Sequence, residues 1–355
     1  MARRRILTVI GARPQFIKAS LLSSLIKSEY ADFFEEEIVH TGQHYDYNMS
    51  ERFFSDLQIP APIVNLNING QNAAAMTGEM LMRLEAVLQQ KKPDLVLVYG
   101  DTNSTMAGAM AAAHLNIPVA HVEAGLRSFN RRMPEEINRV LTDHLSSYLF
   151  APTRTAVQNL NREGIKAEQI HLSGDVMLDL AWRTQKTLKQ ESLPKSPYAL
   201  VTLHRAELVE NSKQLHDVVK ALTRLASDRR LIFPVHPRTR NAIQRLNLDL
   251  GAIECVEPLG YFEMIQMIAG SSLVITDSGG VQKEAYFLGK NCLTLRSETE
   301  WVELVEIGAN KLIDDPEAQL LTAVEQSWGR VPVFDEQFYG DGRAGHKILR
   351  QLMLG

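Results

Sequence analysis

The chain has 355 residues, of which 45% are hydrophobic, and its formal net charge is −4 at pH 7. This length exceeds the size that one hydrophobic core usually serves, so two α/β domains are expected. The slight acidic excess argues against a general affinity for nucleic acid or anionic membranes. The apolar run from Ile6 to Ile10 is too short for a secretory core or a membrane span. We therefore expect a cytoplasmic protein that begins with a buried strand.

Two cysteines occur, Cys255 and Cys292, and each lies in an apolar, strand-like stretch. So few cysteines indicate neither a disulfide framework nor a cysteine zinc site. The prediction is two inert core thiols in a reducing compartment, and no bound metal.

Short apolar runs alternate with helical patterns along almost the whole chain. In the first half, strands are predicted at 6–10, 37–40, 95–99, 119–121 and 148–151, with helical patterns at 14–29, 72–91, 103–115, 135–147 and 153–163. In the second half, strands are predicted at 199–202, 231–235, 253–256, 273–276 and 291–295. This βαβα order predicts the α/β class, with parallel sheets covered by helices on both faces.

The best domain boundary follows residues 170–172, before a polar stretch near 187–197. In a pair of open parallel sheets, ligands bind at the carboxyl ends of the strands, in the crevice between domains. A motif is therefore of interest when it directly follows a predicted strand.

The first strand leads into Gly11-Ala12-Arg13-Pro14, with Lys18 one turn further on. A proline suits the first turn of a helix, so Arg13 and Lys18 lie near a helix N-terminus that favours phosphate or carboxylate. Solvated basic residues after a glycine turn are an equal alternative. The second and third glycines of a dinucleotide fingerprint are missing.

Three carboxylates follow one another at such positions: Asp101, Glu123 and Glu135. Each alone fits a helix cap or a partner of the helix dipole. Their shared placement at strand ends and at a helix start favours proton-transfer chemistry, for which carboxylates are suited.

Two histidines follow strands of the second half. His204 precedes Arg205, and this pairing favours a functional role over a structural one. His236 lies beside Pro237, where a rigid turn is the stronger interpretation.

The sharpest local signal is Thr276-Asp277-Ser278-Gly279-Gly280. Glycines at a helix start let backbone N–H groups approach a diphosphate, while Glu284 two turns on could accept hydrogen bonds from ribose. The pattern of nucleoside triphosphatases is absent. Arg296 and Glu300 follow the next strand and are expected to line the same mouth.

Together these motifs resemble the non-hydrolysing UDP-N-acetylglucosamine 2-epimerases over nearly the whole chain. The motifs that carry the resemblance are residues 11–18, Gly42-Gln43-His44, 100–102, 121–127, 134–139, 204–205, 276–284 and 296–300. The family has the GT-B fold, two Rossmann-like domains around a central cleft, with the C-terminal helix packed back on the first domain. The resemblance implies domains at 1–172 plus 338–355 and at 173–337, a homodimer, and a role in bacterial surface polysaccharide synthesis.

The implied reaction needs no cofactor. UDP is eliminated across C1–C2 to give a 2-acetamidoglucal, and UDP and a proton then add back with inversion at C2. The resemblance assigns Asp101, Glu123 and Glu135 as acid/base groups. It assigns His204 to the departing diphosphate, which it would stabilise or protonate. The residues that it assigns to UDP binding are Arg13, Lys18, Tyr261, Met264, Ser278, Gly279, Gly280 and Glu284. Residues assigned tentatively to the sugar side or to regulation are Gln43, His44, Arg127, Arg205, His236, Arg296 and Glu300.

Departures from the family pattern concern the substrate. Ala12 and Gln15 replace Thr and Glu, Met264 replaces an aromatic ring, and Glu300-Trp301 is unusual. These traits look like a subgroup that acts on UDP-2,3-diacetamido-2,3-dideoxyglucuronic acid, for which a neutral Gln15 would reduce repulsion against the sugar carboxylate. UDP-GlcNAc stays the first expectation.

Two other classes remain open. A GT-B glycosyltransferase would share the UDP grip but need an acceptor surface, and it has less need of three carboxylates. A non-catalytic UDP-sugar regulator would not require the complete set of catalytic candidates.

Overall fold

The computed structural model of the protein describes residues 3–43, 59–70, 72–187, 194 and 196–354. The chain divides into two compact units. Unit 1 comprises Met1–Leu180 and Glu336–Gly355, and unit 2 comprises Ala181–Asp335. The functional boundaries predicted above, after residue 172 and before residue 338, stay a prediction.

Unit 1 is built on a seven-stranded parallel sheet with the order β3-β2-β1-β4-β5-β6-β7. Its strands are β1 (Arg4–Ile10), β2 (Phe34–His40), β3 (Val64–Asn65), β4 (Leu95–Tyr99), β5 (Val119–Val122), β6 (Tyr148–Ala151) and β7 (Ile170–Leu172). Its helices are α1 (Arg13–Ser28), α2 (Ala73–Lys91), α3 (Asn103–His114), α4 (Pro134–Leu145) and α5 (Arg154–Arg162), and α6 (Val176–Thr187) begins in it. The strand order reverses between β1 and β4, which creates the switch point where such sheets bind ligands.

The central strands of unit 1 are apolar because helices cover both faces of the sheet. β4 and β5 are buried along their whole length, which explains the unbroken hydrophobic run of β4; β5 carries one polar residue, the buried His121. α3 packs closely because it is rich in small residues. A Cβ on Gly108 would lie 3.2 Å from the side chains of Val9 and Val98.

The end of the chain belongs to unit 1, through α14 (Glu336–Tyr339) and α15 (Ala344–Leu354). Buried Asp179 accepts hydrogen bonds from the amides of Ala344 at 3.0 Å and Gly345 at 2.9 Å. Burial raises the pKa of Asp179 to about 6, against the lowering effect of these two bonds. A Cβ on Gly345 would come within 2.7 Å of Leu25, so the glycine allows α15 to pack closely on α1.

Unit 2 has a six-stranded parallel sheet with the order β10-β9-β8-β11-β12-β13. Its strands are β8 (Ala199–Thr202), β9 (Leu231–Pro234), β10 (Glu254–Val256), β11 (Leu273–Thr276), β12 (Cys292–Thr294) and β13 (Asn310–Leu312). Its helices are α7 (Ala206–Val209), α8 (Ser212–Leu225), α9 (Pro237–Arg245), α10 (Tyr261–Gly270), α11 (Gly279–Phe287), α12 (Val302–Glu306) and α13 (Pro316–Ser327). Both sheets therefore have the doubly wound order that the alternating pattern predicted.

The prediction of two core thiols was wrong for Cys255, which is exposed on the edge strand β10, whereas Cys292 is buried. An edge strand covered on neither face reads as apolar in sequence without being buried. Among the described residues, no helix is both long and apolar enough to cross a membrane.

Candidate active site

In unit 1, a buried ion pair lies at the carboxyl ends of β4 and β5. The ammonium of Lys18, in the second turn of α1, pairs with the carboxylate of Glu123, which directly follows β5. Gly100, which follows β4, lies against this pair, because a Cβ there would be 3.2 Å from Lys18 Nζ and 3.8 Å from Glu123 Oε2. Gly100 also has a φ of 65°. The position thus favours glycine for both space and backbone conformation.

The backbone of Glu123 is left-handed, with a φ of 74°. This conformation costs a non-glycine residue about 1–3 kcal/mol and persists only where the surroundings hold it. The amides of Glu123 and Ala124 both donate to the carbonyl of Phe150, each at 3.1 Å. The carboxylate of Glu123 is therefore presented from a fixed, strained turn.

Asp101 lies on the neighbouring loop after β4. Its carboxylate pairs with the guanidinium of Arg139, and its carbonyl accepts a hydrogen bond from Asn138 Nδ2 at 3.0 Å. Asp101 is not the helix cap that its position also fits, because the N-cap of α3 is Thr102, whose hydroxyl accepts from the amide of Thr105 at 3.3 Å. The Asp101 side chain remains one-third exposed.

The third predicted carboxylate, Glu135, has different surroundings from Asp101 and Glu123. It is exposed in the first turn of α4, with no hydrogen bond or ion pair to another described residue. Its neighbour Glu136 is buried and accepts from the amide of Ser128 at 2.9 Å and that of Phe129 at 3.0 Å. The structure thus brings Asp101 and Glu123 to adjacent strand ends, and the role of Glu135 stays a prediction.

Other predicted residues of unit 1 surround the same strand ends. Arg13 is half-buried at the first position of α1. The side-chain oxygen of Gln43 accepts from the backbone amide of Ser104 at 3.0 Å and from the Ser104 hydroxyl at 2.7 Å. His44 lies outside the described residues.

Gln15 is buried in the turn that begins α1. It is only 1% exposed, so any effect of its neutral amide on a sugar carboxylate acts at a distance and stays a prediction. Its Oε1 accepts from the Gly11 amide at 2.8 Å, and its Nε2 donates to the Tyr99 carbonyl at 3.0 Å. A glutamate could not donate that second bond when ionised. The neutral amide is thus explained by the turn that it closes.

A buried charge network lies beneath these loops, and no sequence motif indicated it. Arg127, expected on the sugar side, is buried and pairs with Asp143 at 2.7 Å and Glu163 at 2.6 Å. Asp143 also lies 2.7 Å from His121, which is fully buried at the end of β5. Asp143 and Glu163 fall within or after helices, where no motif distinguishes them from other polar residues.

In unit 2, Asp277 organises the loop that carries His204. Asp277 is fully buried after β11, and its Oδ2 accepts from the amides of His204 and Arg205, each at 2.9 Å. Its Oδ1 lies 3.4 Å from His204 Nδ1. The imidazole of His204 is 44% exposed. The buried carboxylate therefore fixes the backbone while the imidazole faces outward.

The two glycines that begin α11 differ in their surroundings. A Cβ on Gly279 would lie 2.2 Å from Glu300 Oε1, and the Gly279 carbonyl accepts from Trp301 Nε1 at 2.9 Å. A Cβ on Gly280 would meet no described atom within 4 Å. Ser278 is the N-cap, with its hydroxyl 3.5 Å from the amide of Val281.

Glu300 lies between two arginines beside this helix start. It is 2.9 Å from Arg296 Nη1 and 3.7 Å from Arg205 Nη2. Burial would raise the pKa of Glu300, but the charges of Arg296 and Arg205 lower it below its usual range. Glu300 is therefore ionised between the two guanidinium groups, and Arg205 also lies 3.9 Å from Glu207.

The remaining predicted residues of unit 2 take varied positions. His236 is exposed as the N-cap of α9, and its ring centroid is 6.3 Å from that of His204. Met264 is half-buried on α10, whereas Tyr261 is 5% exposed and packed in the unit. Glu284 is 7% exposed, so little of it is open to ribose.

The two strand-end sites offer different chemistry. Unit 1 presents carboxylates paired with cations, which suits proton transfer. Unit 2 presents a helix N-terminus, two arginines and an exposed imidazole, which suits an anionic phosphate group.

Comparison with known proteins identifies the family. A family model described as UDP-N-acetylglucosamine 2-epimerase matches residues 27–353. The UDP-2,3-diacetamido-2,3-dideoxy-D-glucuronate 2-epimerase of Pseudomonas aeruginosa is 50% identical over 98% of this chain and 99% of its own. The UDP-N-acetylglucosamine 2-epimerase of Methanocaldococcus jannaschii is 42% identical over 98% of each chain.

The structural comparison agrees. A crystal structure of Methanocaldococcus jannaschii UDP-GlcNAc 2-epimerase in complex with UDP-GlcNAc and UDP has a TM-score of 0.88, at 42% identity over the full length of both chains. The predicted fold class, GT-B with two Rossmann-like domains, is confirmed. The chain belongs to the UDP-N-acetylglucosamine 2-epimerase family.

Proposed function

We propose that this protein, an epimerase of UDP-sugars, converts UDP-N-acetylglucosamine to UDP-N-acetylmannosamine by elimination and re-addition of UDP. The observation that carries the mechanism is the placement of Asp101 and Glu123 at adjacent strand ends, each paired with a cation. The strained turn at Glu123 holds its carboxylate in a fixed direction.

Elimination follows from the chemistry of the substrate. No carbonyl neighbours C2, so direct removal of its proton would leave an unstabilised carbanion. When the C1–O bond breaks as the C2–H bond is lost, the electron pair forms the C1=C2 bond of a 2-acetamidoglucal and UDP leaves as the anion. Re-addition of UDP at C1 and of a proton at the opposite face of C2 gives the epimer. Two carboxylates match the two faces, one as base and one as acid.

The groups of unit 2 would take the UDP. Ser278, Gly279 and Gly280 would direct backbone N–H groups at the diphosphate, and His204 would stabilise or protonate the departing oxygen. Arg13 and Lys18 of unit 1 would add positive charge, and Glu284 would contact ribose. The Asp277 carboxylate supports this assignment because it fixes the backbone beneath His204.

UDP-2,3-diacetamido-2,3-dideoxyglucuronate is a second candidate substrate. The relative at 50% identity is named for it, whereas the relative at 42% is named for UDP-N-acetylglucosamine. Parallel assays of both compounds discriminate between them, because the higher kcat/KM identifies the substrate whose transition state the site binds best. A higher kcat/KM for the uronate would replace the first assignment.

The mechanism is tested with UDP-N-acetylglucosamine in D₂O, followed by NMR. We expect deuterium at C2 of both sugars and a mixture of the two epimers. Turnover without deuterium at C2 would contradict elimination, and transfer to an added acceptor sugar would instead indicate a glycosyltransferase.

We further propose a cytoplasmic homodimer that works without a cofactor in surface polysaccharide synthesis, with functional domains at 1–172 plus 338–355 and 173–337. The family resemblance supports each of these points. Native mass and a cell fractionation assay test the first two.

A further inference from the structure

One buried carboxylate, Asp143 of α4, is bonded toward both loops that carry the proposed catalytic carboxylates. Its side chain is fully buried. Its Oδ2 accepts from the amide of Gly125 at 3.0 Å. Because Gly125 comes two residues after Glu123, this oxygen holds the loop that follows β5.

The other loop is held through His121. His121 Nε2 lies 2.7 Å from the carbonyl oxygen of Gly100, the residue before Asp101. A carbonyl only accepts hydrogen bonds, so Nε2 carries a proton. His121 Nδ1 lies 2.7 Å from Asp143 Oδ1.

The state of Asp143 fixes the second proton. Asp143 Oδ2 accepts from the Gly125 amide at 3.0 Å and lies 2.7 Å from the Arg127 guanidinium, an arrangement that requires the ionised carboxylate. An ionised carboxylate only accepts, so His121 Nδ1 also carries a proton. His121 is therefore an imidazolium.

The charges of this network balance. Arg127 lies 2.7 Å from Asp143 and donates two hydrogen bonds to Glu163, at 2.7 and 2.6 Å. His121 and Arg127 supply two positive charges, and Asp143 and Glu163 two negative ones. A buried ion costs several kcal/mol unless it is paired and hydrogen-bonded, as each one is here.

We propose that Asp143 is a positioning residue for the epimerisation, which holds Asp101 and Glu123 in register through the His121 imidazolium and the Gly125 amide. The inference rests on the proposed roles of those two carboxylates. Glu123 has a left-handed backbone, a conformation that a non-glycine residue keeps only with such support. The network joins both loops to one rigid helix.

The test compares Asp143→Asn with Glu163→Gln. The side chain of Asp143→Asn has one acceptor oxygen, so it cannot accept from both the Gly125 amide and His121 Nδ1. Either the Gly125 bond is lost, or His121 becomes neutral, accepts from the new amide and loses its charge-assisted bond to residue 143. We expect kcat to fall about 100-fold, the effect of a shift of about 1 Å in a catalytic group. KM and UDP affinity should change little. Glu163→Gln weakens the same network at Arg127, two residues beyond Gly125, but leaves the bonds to the Gly125 amide and the Gly100 carbonyl in place, so it should lose stability while keeping kcat.

Equal loss of kcat in both variants at equal loss of stability would show a structural role only and overturn the proposal. Should Asp143→Asn not fold, His121→Gln tests the same link. It keeps a donor for Gly100 but directs an oxygen at Asp143. Unchanged kcat in that variant would also overturn it.

¹⁵N NMR of the ligand-free protein gives a readout independent of turnover. We expect both ring nitrogens of His121 to be protonated at neutral pH in the wild type, and only one in Asp143→Asn. A neutral ring in the wild type would overturn the proposal. Absence of epimerisation by the wild type would instead count against the proposed function and leave this spectrum unchanged.

Discussion

The residues that follow the strands of unit 1 and those that follow the strands of unit 2 lie on sheets of the same topology, but they are supported in different ways. In unit 1, ionised side chains face the site, and a second layer of buried charges holds their loops. In unit 2, the buried carboxylate of Asp277 accepts from two backbone amides and lies 3.4 Å from the His204 ring, while that exposed imidazole and Gly280 face outward. Groups that transfer protons must be held in a fixed orientation, whereas a diphosphate can be bound by backbone amides and by flexible cationic side chains. The same order of parallel strands can therefore support either proton transfer or diphosphate binding.

The largest expected effect comes from changing the predicted catalytic carboxylates of unit 1. Asp101→Asn and Glu123→Gln should each lower kcat about 100- to 10,000-fold, the contribution of a general acid or base. UDP binding, measured by calorimetry, should largely persist because most of the groups proposed to bind UDP belong to unit 2; Lys18, the partner of Glu123, is one of the two proposed in unit 1. Glu135→Gln is expected to behave alike. Near-normal turnover of that variant would reduce Glu135 to a partner of the helix dipole.

A second prediction concerns the acid stability of unit 1. Burial lowers the pKa of His40, at the end of β2, to about 4. The unfolded chain therefore binds a proton that the folded chain excludes, and stability falls as pH drops from about 6.5 to 4. The loss is about 3 kcal/mol in the free energy of unfolding.

Denaturant titrations across this pH range measure the loss. His40→Asn keeps an acceptor for the amide of Gly42, which His40 Nδ1 accepts at 2.8 Å, and should remove most of the pH dependence. His216→Asn, at an exposed position, is the matched control and should retain it. Identical curves for both variants would refute the assignment.

The smallest expected effect compares the glycines of unit 2. Gly279→Ala would bring a Cβ against Glu300 and should lower both stability and UDP affinity, each by about 1–3 kcal/mol. Gly280→Ala meets no described atom, so it should keep stability and weaken only UDP binding. Thermal melts with and without UDP separate the two effects. Full UDP affinity in Gly280→Ala would remove that glycine from the diphosphate site.

The sequence was sufficient to predict the strands that have a clear hydrophobic pattern and the loops that directly follow them. The buried central strands and the loops after β4, β5, β8 and β11 were found because unbroken apolar runs end there. β3 and β13 were not predicted, since each is short and polar residues such as Asn65 and Lys311 interrupt the pattern.

Tertiary partners could not be predicted. Nothing near Asp143 in the chain distinguishes it from a solvated residue on a helix face, and its partners come from β5 and a distant loop. The same holds for Gln15, whose bonds reach Tyr99 and Thr105. Local sequence shows which residues end a strand, but not which charge lies beneath them.

The anchoring of α15 by Asp179 has a consequence for the order of folding during synthesis. Unit 2 is continuous in sequence, so all of it has left the ribosome before unit 1 is complete. Until residues 344–345 emerge, Asp179 lacks the two amides that it binds, and the face of α1 around Leu25 stays uncovered. The unit that begins first is therefore finished last, and nascent chains should expose this surface throughout the translation of unit 2.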